Sequence, residues 1–345
     1  MTLSTDFERV SLPLADPFGI SRGTTDAAEN VIVRVEDDAG TVGVGAAAPS
    51  EYYGETSDSV AAALPDLLLA VEAVGDPHAQ QRLASELGER APEAASARAA
   101  VSVAVHDLAA RQRGEPLYRR WGLDADAAPD TSFTIGIDTP DRMGEKAASA
   151  REAGYPILKV KLGTDDDRAR IAAVRDAAPE ARIRVDANTA WTPEEAIDHT
   201  AWLADHGVEF VEQPVPADDI AGLRRVSEEG ALPVAADESC VTASDVPRVA
   251  DAVDIAVVKL AKCGGLREAA RQVATADACG LETMLGCMVS SNAAIAGACH
   301  LAPLCDYVDL DGALLLADDP YDGVPMPAGR LDLSAVEAGT GAAPN

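Results

Sequence analysis

Two short apolar runs of this chain carry lysines at positions where they could do chemistry. The first, Ile157-Leu-Lys-Val-Lys-Leu, has Lys159 and Lys161 two residues apart, so both side chains leave the same face of an extended strand. The second, Ile255-Ala-Val-Val-Lys-Leu, carries Lys259. The chain has 28 Lys+Arg but only five lysines, and four of them lie in these runs or just after the second. This distribution favours a chemical role for these lysines over the alternative, in which solvated lysines protect an exposed strand edge. Burial and mutual repulsion should favour the neutral form of Lys159 and Lys161.

Acidic residues end three further apolar runs. Asp186, Glu212 and Asp237 each stand at the end of a short run that reads as a strand. If these ends converge, as they do at the mouth of a parallel barrel, three carboxylates suit a hard divalent cation that takes oxygen ligands. Magnesium is the expected ion because the set contains no histidine or cysteine. The alternative is that each acid only caps the helix that follows it.

The elements that would position these residues repeat regularly from about residue 130. Short apolar runs alternate there with longer helical segments rich in Ala, Glu and Arg. Successive runs start 23 to 28 residues apart, at Ser132, Ile157, Ile183, Glu209, Leu232, Ile255, Thr283 and Tyr307. A strand–helix unit of this length predicts parallel strands with crossover helices, and eight such strands close into a barrel. An open doubly wound sheet is the alternative, but no glycine-rich phosphate loop follows the first run.

The rest of the chain predicts a second, smaller domain. Residues 1–128 begin with alternating strands around a hairpin signal at Asp37-Asp-Ala-Gly and continue as helical sequence, which indicates an α+β capping domain. Residues 129–311 form the predicted catalytic barrel. The segment 312–345 is rich in Gly and Pro, and we expect it to return to the N-terminal region and complete the cap.

Composition excludes several classes of partner. The net charge is −30 and the pI is about 4.3, so the surface should repel nucleic acid and anionic membranes.

The sequence shows neither a secretory signal nor an apolar stretch long enough to span a bilayer, which predicts a cytoplasmic protein. Acidic bias with few lysines indicates a halophilic protein. The six cysteines lack CxxC spacing and are expected to be reduced thiols.

The strand-end motifs resemble those of the enolase superfamily, in its muconate-lactonizing-enzyme branch. The resemblance spans the cap and the barrel, and it implies an α/β fold, a (β/α)7β TIM-like barrel with an α+β capping domain formed by the N-terminal region and the C-terminal tail. The similar segments are Lys159-Val-Lys161, Asp186-Ala-Asn188, Glu212-Gln-Pro214, Asp237-Glu-Ser239 and Val258-Lys259-Leu260 with Gly264-Gly265.

A further motif points to one subgroup of that branch. Asp309-Leu-Asp311-Gly312 is similar to the Asp-x-Asp motif of the dipeptide epimerases, and the resemblance implies that Asp309 and Asp311 hold the free ammonium of a dipeptide. Arg22 resembles the position that meets the acidic side chain in epimerases of Ala-Glu dipeptides. The alternatives are that the two acids are solvated loop residues and that Arg22 is engaged in a local ion pair.

The resemblance implies a Mg²⁺-dependent dipeptide epimerase that inverts an α-carbon by 1,1-proton transfer through an enediolate intermediate. Lys161 and Lys259 would lie on opposite faces of the α-carbon, one removing a proton and the other returning one. Lys159 would contact the substrate carboxylate, while Asn188 and Glu238 would support the metal ligands without binding the ion. The expected partners are a small-molecule dipeptide and identical subunits in a homo-oligomer.

Two other functions remain open on the same residues. The first is an N-acylamino-acid racemase or a lyase that forms o-succinylbenzoate, whose substrates have no ammonium for Asp309 and Asp311 to hold. The second is a metal-binding barrel without catalysis, against which the lysine pair argues. The sequence departs from the family at Ser290, where relatives usually carry Glu. No histidine stands at a predicted strand end, which argues against the histidine-based relatives.

Overall fold

The chain opens with a three-stranded antiparallel sheet. A computed structural model describes residues 2–345. The strands are β1 (Leu3–Ile20), β2 (Gly23–Asp37) and β3 (Val42–Ala47), with β2 in the middle. The predicted hairpin turn joins β2 to β3, where Asp37 Oδ1 accepts hydrogen bonds of 2.9 Å from the amides of Ala39 and Thr41. Gly40 takes a φ of 81° in this turn, a conformation that glycine adopts without strain.

Four helices follow the sheet; the first and the third pack against it, and the second and the fourth pack against the third. They are α1 (Ser57–Val74), α2 (Gln80–Arg90), α3 (Ala95–Arg111) and the short α4 (Leu117–Arg120). Most of α3 is buried because it lies between β3 and the barrel helices. Small residues permit this close approach, since a methyl group on Gly43 or Gly45 would overlap the carbonyl oxygen of Ala104 or Ala100 on α3.

Eight parallel strands follow and confirm the predicted barrel. They are β4 (Phe133–Ile135), β5 (Ile157–Lys161), β6 (Arg182–Asp186), β7 (Val208–Glu212), β8 (Val234–Ala236), β9 (Ile255–Lys259), β10 (Glu282–Gly286) and β11 (Tyr307–Asp309). They pair in chain order from β4 to β11. A parallel bridge between Thr131 and Val308 joins the first strand region to the last, so the sheet closes rather than remaining open.

Helices connect the barrel strands on the outside. They are α5 (Pro140–Glu152), α6 (Asp167–Ala177), α7 (Pro193–Asp205), α8 (Ile220–Glu229), α9 (Val246–Val249), α10 (Leu260–Cys263), α11 (Leu266–Ala278) and α12 (Asn292–Cys299). Their apolar faces bury the outer faces of the strands in two large clusters. None of the helices described in residues 2–345 is both long and apolar enough to cross a membrane.

The segment after β11 contacts the cap. It contains a small antiparallel pair, β12 (Tyr321–Asp322) and β13 (Ala343–Pro344). The amide of Ala15 on β1 donates to Leu315 O at 3.0 Å, and the amide of Thr340 donates to the buried Asp107 of α3 at 2.6 Å. The domain boundaries 1–128, 129–311 and 312–345 stay predictions, and these contacts are consistent with a tail that completes the cap.

Candidate active site

A cavity of about 140 Å³ lies at the mouth of the barrel, where the carboxyl ends of the strands converge. The tip of the β1–β2 hairpin covers it, since Ile20 and Arg22 are part of its lining. We call it the mouth cavity. Nine of the eleven residues predicted for the site line it: Arg22, Lys159, Lys161, Asn188, Asp237, Glu238, Lys259, Asp309 and Asp311. The other two residues, Asp186 and Glu212, are fully buried. Both carboxylates lie within ion-pair distance of Lys159, which lines the mouth cavity.

Lys159 is the centre of this charge cluster. Its Nζ lies 2.6 Å from Asp309 Oδ2, 2.7 Å from Glu212 Oε2 and 3.2 Å from Asp186 Oδ2. Burial alone would lower the pKa of Lys159, but these three carboxylates outweigh burial and raise its pKa above the ordinary value. The expectation that Lys159 favours its neutral form was therefore wrong for this arrangement of charges, because the sequence did not show how close the carboxylates come.

Lys161 and Lys259 enter the mouth cavity from opposite sides of the barrel. Their strands, β5 and β9, are four positions apart in a ring of eight. Lys161 Nζ donates to Asp186 Oδ2 at 2.5 Å and to Asn188 Oδ1 at 3.1 Å, while Lys259 Nζ donates to Asp237 Oδ2 at 2.7 Å. Burial would lower the pKa of Lys259, but the charges of Asp237 and Glu212 outweigh burial and raise this pKa above its ordinary value. The two amines therefore face a shared space between them.

Asp186, Glu212 and Asp237 end three consecutive strands, β6, β7 and β8, or directly follow them. Within residues 2–345, however, no group of three carboxylate, imidazole or thiol side chains is arranged so that it could hold a metal ion as it stands. Instead, lysine ammonium groups lie within ion-pair distance of all three carboxylates. Burial would raise the pKa of Asp186 and of Asp237, but the lysines outweigh it and lower both.

Among the three acids at the strand ends, Glu212 is the one whose carboxylate forms no hydrogen bond. Both of its carboxylate oxygens are buried without a hydrogen-bond partner. Oε2 is within ion-pair distance of Lys159, but the angle between them is not that of a hydrogen bond, so only the Coulomb attraction counts. Burial, followed by the charge of Asp186, raises the pKa of Glu212 to about 8. A buried, all-oxygen set with two unpartnered carboxylate oxygens fits a hard divalent cation.

Asn188 links the charge groups on β5, β6 and β8. Its backbone amide donates to Asp186 Oδ1 at 2.9 Å, its Oδ1 accepts from Lys161, and its Nδ2 donates to Glu238 Oε1 at 3.3 Å. The other oxygen of Glu238 is buried without a partner, and burial with the charge of Asp237 raises the pKa of Glu238. This placement is compatible with the predicted supporting role of both residues.

Arg22 lies at the edge of the mouth cavity and is engaged by its neighbours. Its Nη1 donates to Asn188 O at 2.9 Å and pairs with Glu238 Oε1 at 3.1 Å. Its guanidinium lies over the ring of Tyr52, 4.5 Å from the centroid. The structure thus shows the local ion pair that was the alternative for this residue, and contact with an acidic substrate side chain stays a prediction.

Asp309 and Asp311 are buried, with 4% and 2% of their surface exposed, so they are not solvated loop acids. The first barrel strand region orients both. Ser132 Oγ donates to Asp309 Oδ1 at 2.5 Å, and the amide of Thr134 donates to Asp311 Oδ2 at 2.5 Å. Burial, followed by the charge of Asp309, raises the pKa of Asp311 to about 7, whereas Lys159 outweighs burial and lowers the pKa of Asp309.

Sequence reasoning missed three of the residues that orient the site. Ser132 and Thr134 alternate on an apolar run, which is the signal for two polar side chains on the inner face of one strand. Gln213 is fully buried, and its Oε1 accepts hydrogen bonds from the amides of Asp237 at 3.0 Å and Ser239 at 3.1 Å. No sequence pattern indicates this link between the ends of β7 and β8, because it depends on which strands are neighbours.

Two family models match the chain with nearly complete coverage. The mandelate racemase/muconate lactonizing enzyme N-terminal domain matches residues 4–122, and the enolase C-terminal domain-like model matches residues 142–344. The chain belongs to the mandelate racemase/muconate lactonizing enzyme family. The resemblance found in the motifs is thereby confirmed.

Relatives within this family include named epimerases. The L-Ala-D/L-Glu epimerase of Bacteroides thetaiotaomicron is 37% identical over 94% of this chain and 83% of the relative. The L-Ala-D/L-amino acid epimerase of Pedosphaera parvula is 39% identical over 94% of each chain. A solved dipeptide epimerase from Enterococcus faecalis V583, complexed with Mg and L-Leu-L-Tyr, superposes with a TM-score of 0.92 at 33% identity, covering 99% of this chain and 100% of that one.

Proposed function

We propose that this chain is a magnesium-dependent dipeptide epimerase that inverts an α-carbon by 1,1-proton transfer. The observation that carries the proposal is the composition of the mouth cavity. Two lysines from strands on opposite sides of the barrel share it with two buried carboxylates, Asp309 and Asp311. The epimerase relatives and the solved complex with a dipeptide support the same conclusion.

Asp186, Glu212 and Asp237 would hold the magnesium ion. The unpartnered oxygens of Glu212 and the all-oxygen donor set support this assignment. The ion would supply positive charge beside the substrate carboxylate, which favours the negative charge that develops when an α-proton leaves. Asn188 would support these ligands through its hydrogen bond to Asp186, and Glu238 would do so through Asn188.

Lys161 and Lys259 would move the protons. One amine, in its neutral form, accepts the α-proton from one face of the α-carbon, and the other, as an ammonium, donates a proton to the opposite face. The substrate passes through an enediolate between the two transfers. Lys159, at the centre of the charge cluster, would contact the substrate carboxylate and keep it at the floor of the mouth cavity.

Asp309 and Asp311 would hold the ammonium of the dipeptide. A cation in a buried pocket needs carboxylate partners, and these two acids are fixed in place by Ser132 and Thr134. Arg22 would meet an acidic side chain of the substrate, which requires it to exchange its contact with Glu238 for one with the ligand. Cytoplasmic location, adaptation to salt and assembly into a homo-oligomer stay predictions from the sequence.

The proposal is tested by incubating the protein and Mg²⁺ with a dipeptide library in D₂O and reading deuterium incorporation by mass spectrometry. We expect deuterium at the α-carbon of the C-terminal residue of a subset of dipeptides. Exchange of N-acylated amino acids with no exchange of dipeptides would favour an N-acylamino-acid racemase. Absence of exchange with every substrate would favour a non-catalytic barrel.

A second experiment tests the roles of the two lysines. Lys161→Ala and Lys259→Ala should each abolish epimerisation, because each removes one of the two proton carriers. Each variant should still exchange the α-proton of one epimer, and the two variants should retain opposite epimers. If one variant exchanges neither epimer while the other still exchanges both, a single lysine serves both epimers and the two-base mechanism is refuted.

A further inference from the structure

Lys262 is a buried lysine that the proposed chemistry does not use. It lies on α10, one helical turn beyond Lys259, and its side chain has no exposed surface. Its ammonium is surrounded by oxygen atoms from three residues, two that follow β8 and one on β9. Lys262 Nζ lies 2.5 Å from Asp237 Oδ1, 2.7 Å from Asp237 O, 3.0 Å from Val257 O and 3.1 Å from Cys240 O.

The carboxylate of Asp237 is divided between two lysines. Its Oδ1 contacts Lys262, whereas its Oδ2 contacts Lys259, which lines the mouth cavity, at 2.7 Å. The amide of Asp237 is held separately by Gln213 at 3.0 Å. The amide and the carbonyl of Asp237 are therefore both held, and Lys262 contacts the carboxylate oxygen that Lys259 does not.

We propose that Lys262 is a positioning residue that holds the carboxylate of Asp237 in the orientation in which it contacts Lys259 and would bind the metal. The inference rests on the proposed function, since it concerns how one of the three ligand carboxylates is oriented. The carboxylate of an aspartate can rotate about its Cβ–Cγ bond, and an ammonium fixed by three backbone carbonyls opposes that rotation and so holds the plane of the carboxylate. Lys262 touches neither the cavity nor the substrate in this role, so its effect passes through Asp237.

A purely structural lysine would have a different signature. The three carbonyl contacts join the ends of β8 and β9, and a residue that only stabilises this junction would change the unfolding temperature alone. A positioning residue also changes the affinity for the metal and the rate of proton transfer in protein that remains folded. These two quantities separate the alternatives.

The test compares Lys262→Met, Lys262→Gln and Lys262→Arg with Lys146→Met. Met and Gln remove the charge, Arg retains it, and Lys146 is a control because its ion pair with Asp138 lies outside the mouth cavity. Mn²⁺ is titrated by electron paramagnetic resonance into protein without substrate, below the unfolding temperature determined by circular dichroism. Turnover numbers and Michaelis constants for α-proton exchange are then measured at saturating Mn²⁺.

We expect Lys262→Met and Lys262→Gln to bind Mn²⁺ at least tenfold more weakly than the wild type. Their turnover number at saturating Mn²⁺ should fall at least fivefold with the Michaelis constant within twofold of the wild-type value. Lys262→Arg should recover part of both losses, and Lys146→Met should change neither.

Three results would overturn the inference. They are neutral variants that fold and bind Mn²⁺ as the wild type does, neutral variants that do not fold at all, and a wild-type protein that binds no Mn²⁺. The last result would also remove the metal from the proposed function. Normal Mn²⁺ binding by the wild type with no exchange of any dipeptide would refute the proposed substrate while the Mn²⁺ affinities of the variants still decide the role of Lys262.

Discussion

The substitution Asp311→Asn separates substrate binding from stability in a way that few changes at this site can. Asp311 contacts no lysine, since its hydrogen-bond partners are the amide of Thr134 at 2.5 Å and the Thr134 hydroxyl at 3.1 Å. Asp309, in contrast, pairs with Lys159 at 2.6 Å, and changing it would disturb the charge cluster as well. Asp311→Asn is therefore the cleaner test of the ammonium site.

The expected loss of activity follows from one buried ammonium–carboxylate contact. Removing one partner of such a pair costs about 2–5 kcal/mol, so we expect kcat/KM for a dipeptide to fall roughly 100-fold. Because the pKa of Asp311 is raised to about 7, kcat/KM of the wild type should increase as the pH rises toward about 7 and this carboxyl ionises. The variant should lack this dependence.

The expected change in stability has the opposite sign. The ordinary pKa of an aspartate is 3.8, and that of Asp311 in the folded protein is about 7, so the unfolded chain ionises first as the pH rises. Folding stability is therefore lost between these two values, and the full penalty is present above about pH 7. It amounts to at most about 4 kcal/mol, a figure that already includes the hydrogen bonds from Thr134 to the ionised carboxylate. Asp311→Asn should thus be more stable than the wild type at pH 8 and no more stable at pH 4.

The assay combines deuterium exchange with denaturant unfolding at pH 4, 6 and 8. Asp306→Asn is the matched control, because Asp306 precedes the same strand at its opposite end and accepts from the amide of Thr283 at 2.8 Å. The control should leave kcat/KM and its pH dependence unchanged. Unchanged dipeptide turnover in Asp311→Asn would show that this carboxylate does not hold the ammonium. A variant that is less stable than the wild type at pH 8 would show that burial does not raise the pKa of Asp311.

The remaining predictions concern the metal, two histidines and the packing of the cap. Chelation by EDTA should abolish α-proton exchange and Mg²⁺ should restore it, so exchange by metal-free protein would contradict the proposed chemistry. Burial lowers the pKa of His106 and of His300 to about 4 from 6.5, so the unfolded chain takes up protons first as the pH falls below 6.5. The free energy of unfolding should therefore decrease by up to about 3 kcal/mol per histidine between pH 6.5 and 4. His300→Gln should make this decrease with pH smaller, and an equal decrease in the variant would show that His300 is not the source of the pH dependence. Gly45→Ala should lower the free energy of unfolding by about 2 kcal/mol or more, since the new methyl group overlaps Ala100 O, and a variant with unchanged denaturant midpoint would show that α3 can shift away.

Much of the fold was predictable because it depends on local periodicity. The spacing of the apolar runs predicted eight strands, and the structure has all eight in chain order within one sheet. The hairpin at Asp37 was predictable for the same reason, since an Asp followed closely by Gly specifies a turn through its own side chain. These features need only neighbours in sequence.

The residue types of the site were also predictable, because strand ends converge in any parallel barrel. Lys159, Asp237 and Asp311 could be assigned to one mouth without knowledge of any distance. Their charge states could not, since a pKa depends on which groups come within a few ångströms. Lys159 has three carboxylates within 3.2 Å, which reverses the expected direction of its pKa shift.

The sequence by itself thus determined the order of the strands and the chemical groups delivered to their ends, through the period of the apolar runs and the rarity of lysine. Only the tertiary structure decided how those groups pair: that Lys262 lies behind Asp237, that Gln213 joins two strand ends, and that Arg22 meets Glu238. The physical reason is how far apart along the chain the interacting groups lie. Periodicity is set by neighbours along the chain, whereas hydrogen bonds and charge interactions depend on distances between segments that are remote in sequence and adjacent only after the barrel closes.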